Sequence, residues 1–394
     1  MPLTDVLPRS QRQESNRFFN RFRRSTEANF SHGNSIALLK TGADFFGELF
    51  AAIQQAEHSV YLEFYIVRAD RTGKSLAGLL EKAAERGVEV CLLYDYMGSF
   101  DTPAAYFRKL VSCGVHCTAF NPPPFRNGIT WFDKRDHRKI AVIDSRVAFA
   151  GGLNIGDEYA GGGKSLYWRD LGVRIEGDAL NELSRLFCEN WQSEASSFPI
   201  SNCTVTFDPA CGDDDVAIVS GGPHHNRSRI RAAFLMAISG AVKSIKIETP
   251  YFGPGPRFIR ALLRAARRGV KIELILPAQS DIPLVRIVNR ISYATLIKGG
   301  VEVFEREGTI LHGKVMLIDG EWSVIGSANL DQRSFHRNFE VSVIVSSTDF
   351  GKQVDEMFAE DLALSRRISL EAHEKRGVIV KTLEKAMSLF NWFL

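Results

Sequence analysis

The feature that most constrains this chain is an internal duplication. The stretch from His137 through Arg138, Lys139 and four apolar residues to Asp144, followed by Gly151-Gly152-Leu153-Asn154, occurs again. The second copy runs from His312 through Gly313 and Lys314 to Asp319 and is followed by Gly326-Ser327-Ala328-Asn329. Histidines and asparagines share one displacement (137 to 312, 154 to 329), so nothing is inserted between the motif parts in either copy. Each motif is preceded by matching wording: an apolar strand carrying a glutamate (Glu63 or Glu248), then a helix ending in Arg86-Gly87-Val88 or Arg268-Gly269-Val270. Strands over 88–94 and 270–276 follow at once, and a third matching strand starts after Val115 and Val301. Basic last turns with glycine just beyond are helix stop signals. Strand, helix and strand with short connections predict βαβ units and a buried, mostly parallel sheet. The fold expected is α/β, two similar lobes related by a pseudo-twofold. The Asp- and Gly-containing stretch from Asp208 to Pro223 marks the join, giving lobes over 34–207 and 208–372, an arm over 1–33 and a tail over 373–394.

With 45% hydrophobic and 24% charged residues, the 394-residue chain has the profile of an ordinary folded protein. A formal charge of only +3 supplies no global field of the kind that marks a nucleic-acid binder, so attraction to anionic surfaces must come from local clusters. The six cysteines show no C-x-x-C spacing and are expected as free or buried thiols in a reducing compartment. No signal peptide or apolar stretch long enough to span a bilayer is evident, which predicts a cytoplasmic protein acting from the inner membrane surface if its substrate is a lipid.

Residues two apart on a strand share a face, so His137 projects with Lys139 and His312 with Lys314. If Ser145-Arg146 and Gly320-Glu321 form two-residue turns, Asn154 falls opposite His137 and Asn329 opposite His312. Directly opposed Cβ atoms lie roughly 4.5–5.5 Å apart, so each hairpin would present imidazole, ammonium and carboxamide as one cluster. That cluster suits displacement at a phosphodiester. One imidazole attacks phosphorus, the other protonates the leaving oxygen, and lysines and carboxamides hold the non-bridging oxygens. Two lysines supply the positive charge, so neither a metal nor another cofactor is expected.

The paired H-x-K-x-x-x-x-D motif resembles that of the phospholipase D superfamily. The flanks Gly151-Gly152-Leu153-Asn154, Trp168-Arg169-Asp170, Thr249-Pro250-Tyr251-Phe252 and Asn329-Leu330-Asp331-Gln332-Arg333-Ser334 are similar to cardiolipin synthase sequence. The similarity runs from about Asn34 to about Ser346 and lacks the N-terminal transmembrane helices of the commonest members. The resemblance implies two phospholipase-D-type lobes with the active site between them, and transfer of a phosphatidyl group between two phosphatidylglycerol molecules through a phosphohistidine. It favours His137 as nucleophile and His312 as acid and base, although the sequence is close to symmetric. Lys139, Lys314, Asn154 and Asn329 would bind phosphate oxygens. Asp144 and Asp319 complete the catalytic motif, but their parity, opposite to His and Lys, suits organising the hairpin. Glu63 and Glu248, central in apolar strands, are read as orienting the imidazoles. Water or another alcohol as acceptor, and a phosphodiesterase acting on nucleic acid, are the alternatives. Ser327 is read as a small residue at a crowded strand, and His224-His225 as a loop pair without metal.

Both termini carry amphipathic wording. Between Arg9 and Arg24 six arginines interleave with Phe18, Phe19 and Phe22, the profile of an interfacial helix on anionic lipid. From Lys375 to Leu394, lysines mix with large apolar residues. Phosphatidylglycerol and an anionic membrane surface are the partners expected, and no nucleic acid.

Overall fold

The computed structural model describes residues 20–123, 133–161, 167–195, 200, 211–223 and 228–375. The duplicated strands form one continuous fifteen-stranded sheet. The first half supplies β1 (Phe30–Leu39), β2 (Ser59–Phe64), β3 (Glu89–Asp95), β4 (His116–Phe120), β5 (Lys139–Ile143), β6 (Val147–Gly151) and β7 (Gly172–Glu176). The second supplies β8 (Asp214–Gly221), β9 (Ser244–Glu248), β10 (Phe252–Gly253), β11 (Lys271–Pro277), β12 (Glu302–Arg306), β13 (Val315–Ile318), β14 (Trp322–Gly326), β15 (Leu330–Asp331), β16 (Glu340–Ser346) and β17 (Ser365–Arg367). The order β7-β6-β5-β2-β3-β4 in one half is matched by β16-β14-β13-β9-β11-β12 in the other. The antiparallel pair β1–β8 joins them, with β10 and β15 paired apart. This is the expected pseudo-twofold. The sheet is mixed, however. Parallel pairing is confined to β2–β3–β4 and β9–β11–β12, because the motif hairpins and the joining strands all run antiparallel.

The repeated Arg-Gly-Val has a packing reason. Helix α1 (Gly42–Gln55) precedes β2, and α2 (Arg71–Glu85) precedes β3. At the end of α2, Gly87 takes φ 86°, a left-handed value that costs glycine least, and Val88 N–H closes on Ala83 O at 3.1 Å. Arg86 then donates to Ala56 O, just past α1, at 2.9 Å. In the second half α3 (Arg229–Gly240) and α4 (Pro256–Arg267) repeat this. Gly269 has φ 90°, and Arg268 donates to Ala241 O at 3.1 Å.

One face of the sheet is covered across both halves by helices Ala179–Glu194 and Thr348–Ala363, whose Leu183, Phe187, Trp191, Val354 and Met357 are fully buried. The other face carries a separate core in each half, one under α1 and α2 and one under α3 and α4. The expected boundaries therefore shift. The stretch 208–223, read as a join, contains β8 at the centre of the sheet. The 33/34 boundary cuts β1, and the 372/373 boundary cuts helix Leu370–Glu374, where His373 is buried. Phe22, expected to face lipid, lies 1% exposed in the second-half core against Phe30 and Trp322. The rest of the arm, before residue 20, and the tail beyond residue 375 lie outside the described residues.

Candidate active site

The motif hairpins differ from the expected register by one residue. Ile143 pairs with Val147 and Ile318 with Trp322, so each loop has three residues, and Asp144, Ser145, Asp319 and Gly320 take positive φ. The mirror-image turn suits the right-handed twist of the strands. Asn154 is thus not the ladder partner of His137, since both lie beyond the last pairs. Each motif aspartate faces away from the site. Asp144 accepts from the backbone N–H groups of Glu57, His58 and Ser59 at 2.7–2.9 Å, and Asp319 from Val242, Lys243 and Ser244 at 2.7–2.9 Å. They fasten the hairpin tips to the starts of β2 and β9.

His137 and His312 line one cavity of about 590 Å³ between the halves. His137 Nδ1 meets Glu340 Oε2 at 3.0 Å, and His312 Nδ1 meets Asp170 Oδ2 at 2.5 Å. The carboxylate comes from the opposite half each time. Short parallel bridges, Asp136 with Phe339 and Arg169 with Leu311, bring the partners side by side, with His137 N–H donating to Phe339 O and His312 N–H to Arg169 O. This corrects the expectation for Glu63 and Glu248. Glu63 is buried beneath the motif, accepting from Asn190 at 2.8 Å and lying 3.7 Å from Arg138. Glu248 lies under Gly313, where a Cβ would stand 2.4 Å from its Oε1. Burial and the neighbouring Asp361 push it up to about 8, despite Arg169 and Arg306.

Charge fixes the tautomers. Burial tends to raise Asp170, but Lys314 and His312 hold it below the ordinary carboxylate range; His137 and Lys139 do the same for Glu340. Both are therefore ionised acceptors at neutral pH, Nδ1 carries the hydrogen, and each Nε2 keeps its lone pair. Burial pushes His137 down to about 4 and His312 below its usual value. Lys139, 1% exposed, is pushed down to about 7 by burial; its ammonium donates to His137 O at 2.7 Å. Lys314 lies 2.9 Å from His312 Nδ1.

Ser327 is more than a small residue: its hydroxyl donates to Glu340 Oε2 at 2.5 Å. Its counterpart must be glycine, because a Cβ on Gly152 would come within 2.2 Å of Asp170 Oδ1. Asn154 and Asn329 both line the cavity. Asn154 is already committed, accepting from Ile66 N–H at 3.1 Å and donating to Tyr159 at 3.0 Å, whereas Asn329 Oδ1 is buried without a partner among the described residues. Aromatic rings flank the imidazoles, Tyr65 at 4.9 Å from His137 and Trp168 at 5.2 Å from His312. Asp170, Glu340, Tyr251 and Asp281 are cavity or imidazole partners that the motif reading missed. A signal for the first two was present, an acid heading an apolar strand downstream of each motif. No group of side chains suited to hold a metal ion occurs among the described residues, and His224-His225 lie outside them.

The family model described as "Cardiolipin synthase, PLD-like domain" matches residues 49–189 and 234–362, covering both motifs and both halves. The chain belongs to the cardiolipin synthase family. Relatives in that family include cardiolipin synthase 2 of Staphylococcus epidermidis, 34% identical over 361 residues, 91% of this chain and 74% of that one. The cardiolipin synthase of Geobacillus kaustophilus is 36% identical over 370 residues, 92% of this chain and 72% of that one. Among solved structures, the phosphatidylserine synthase of Haemophilus influenzae covers 96% of this chain and 100% of its own at a TM-score of 0.70. At 14% identity that likeness concerns the fold alone. No helix among the described residues is long and apolar enough to cross a membrane. Of the cysteines, Cys91, Cys113 and Cys117 are free, while Cys188 is disulfide-bonded, against the expectation.

Proposed function

We propose that the chain is a cardiolipin synthase that joins two phosphatidylglycerol molecules with release of glycerol. The observation that carries this reading is the pair of imidazoles in one cavity, each with Nδ1 on an ionised carboxylate. His137 Nε2 attacks the phosphorus of the donor lipid. As the P–N bond forms, the P–O bond to glycerol breaks and His312 Nε2 gives its proton to the departing oxygen. Burial disfavours imidazolium, but a bound phosphodiester anion restores it at His312. In the second half the primary hydroxyl of the acceptor lipid gives its proton to His312 and attacks phosphorus, and the P–N bond breaks. Lys139 and Lys314, with the carboxamide of Asn329, hold charge on the non-bridging oxygens. Two of the three ammonium donors of Lys139 remain after its bond to His137 O.

The protein would work peripherally on the inner, anionic face of the cell membrane, with no nucleic acid as partner. Supporting this are a lipid substrate and the lack of a spanning helix among the described residues. Incubating the purified protein with phosphatidylglycerol vesicles and identifying products by mass spectrometry tests the reading. Cardiolipin plus glycerol is expected. Phosphatidic acid alone would make the enzyme a hydrolase, and absence of any lipid product would overturn the assignment.

A further inference from the structure

A cavity that receives a phosphodiester anion has reason to exclude carboxylates not neutralised by its own cations. Asp170 is balanced by Lys314 and Glu340 by Lys139, while Asp331, also in the lining, accepts from Ser334 N–H as a helix cap. Asp281 is not so balanced: it lies in the loop that follows β11, exposed and lining the same cavity, with no basic side chain among its hydrogen-bond partners. Its Oδ2 accepts from the Tyr251 hydroxyl at 2.7 Å and its Oδ1 from Ser280 at 3.1 Å, leaving acceptor capacity on both oxygens. A carboxylate there opposes the phosphate unless the substrate brings hydrogen-bond donors to it. The molecules that bring donors without charge are polyols.

We propose that Asp281 and Tyr251 form an alcohol subsite that recognises the vicinal hydroxyls of a glycerol head group. This rests on the phosphatidyltransfer reading above and names what determines its acceptor. Acceptor attack is the reverse of glycerol departure, so one subsite serves the leaving glycerol of the donor and the incoming glycerol of the acceptor. Its placement agrees with the acid role of His312, because Asp281 and His312 line the same cavity. Asp281 accepts from the hydroxyl that does not react, and the neighbouring primary hydroxyl is thereby turned toward phosphorus and His312. Tyr251, held strongly protonated by burial and by Asp281, braces the carboxylate.

The test uses the full chain, phosphatidylglycerol in detergent, and two soluble acceptors, glycerol and 1-propanol, which differ in the hydroxyls available to Asp281. The intact enzyme should transfer to glycerol with a kcat/KM about tenfold or more above that for 1-propanol, as expected where a site is built to bond a hydroxyl. Asp281→Asn and Asp281→Ala should abolish that preference, mainly by raising the KM for glycerol, lower transfer to glycerol far more than transfer to 1-propanol, and shift lipid product from cardiolipin toward phosphatidic acid. Tyr251→Phe should weaken the preference less. An intact enzyme without preference, or variants that keep the intact ratio, would overturn the subsite. Equal loss with both acceptors would overturn it too, making Asp281 merely structural. Failure of the intact enzyme to form any phosphatidyl product would instead overturn the reaction assigned above, so the two failures are distinguishable.

Discussion

Replacing Asp170 by asparagine changes one atom and tests how the imidazoles are held. Asp170 Oδ2 stands 2.5 Å from His312 Nδ1 and is ionised, so it both fixes the Nδ1–H tautomer and stabilises the imidazolium that forms when His312 takes a proton. An amide oxygen left in place still accepts from Nδ1–H but lacks the charge. Losing the charge from such a bond costs about 1.5–3 kcal/mol, or roughly 10- to 150-fold in rate. If the amide turns its NH₂ toward the ring, the proton moves to Nε2 and the loss extends to about 10⁴-fold, the size seen for the corresponding change in a serine-protease triad. Glu248→Gln is the contrasting change. With its pKa raised to about 8, Glu248 is largely protonated at pH 7, and glutamine matches it in volume beneath Gly313. Turnover should then stay within about threefold of the parent. The assay is cardiolipin formation from detergent-dispersed phosphatidylglycerol, with thermal melting as the folding control. Equal losses in Asp170→Asn and Glu248→Gln, or an Asp170→Asn enzyme within threefold of the parent, would refute the crossed-carboxylate reasoning.

Asp144→Ala and Asp319→Ala should each lower stability by about 1–3 kcal/mol, since each strands three backbone donors, while turnover of the folded fraction changes little; melting curves beside active-site-normalised rates check this. Glu248 binds a proton in the folded protein up to about pH 8 but only to about 4.5 when unfolded. Its contribution is therefore present at low pH and lost as pH rises through 8, so the parent should lose stability relative to Glu248→Gln between pH 5 and 8.5, measured by urea unfolding. EDTA should leave turnover intact, because lysines supply the positive charge; loss on chelation with recovery on adding a divalent ion would contradict that. Phe22→Ala should cost about 3–5 kcal/mol, whereas deleting residues 1–19 should spare folding and weaken binding to phosphatidylglycerol vesicles, more so at low salt.

The histidines and lysines were legible because strand parity alone puts residues two apart on one face, and that rule does not depend on which strands pair. The asparagine placement depended on loop length. Asp144 and Asp319 take the left-handed backbone of a mirror-image turn, and each loop has three residues instead of two, which shifted the register. Glu63 and Glu248 misled because a carboxylate in an apolar strand demands a partner, and the sequence does not say which. Arg138 stands beside Glu63, but its counterpart is Gly313, and Glu248 is instead held near-neutral by burial and Asp361. Arg169 and Arg306 grip Asp361 at 2.8 and 2.6 Å. The parallel-sheet expectation failed because matching βαβ wording covers only three strands in each half. Phe22 illustrates the limit of helical patterning: an apolar stripe fits a bilayer and a protein core equally well.

The crossed contacts also explain why two copies of the motif are held in one sheet. A half carrying His137 and Lys139 ends its own hairpin at Gly152, and the carboxylate beside that glycine, Asp170, belongs to His312. His137 is served by Glu340 from the other half, braced by Ser327. Neither half alone therefore contains an imidazole with its carboxylate. The β1–β8 pair and the bridges at Asp136–Phe339 and Arg169–Leu311 must form before either histidine acquires its working tautomer. Each bridge sets the chain neighbour of a histidine beside the chain neighbour of its carboxylate, Asp136 beside Phe339 and Leu311 beside Arg169. The two imidazoles are thus near-equivalent in how they are held, and the difference needed between nucleophile and acid must come from the groups beyond those bonds. Glu340 with Ser327 on one side, and Asp170 with Lys314 against Nδ1 on the other, are where the duplication has diverged. The carboxylate of Asp281, which lines the cavity together with both histidines, adds a third difference.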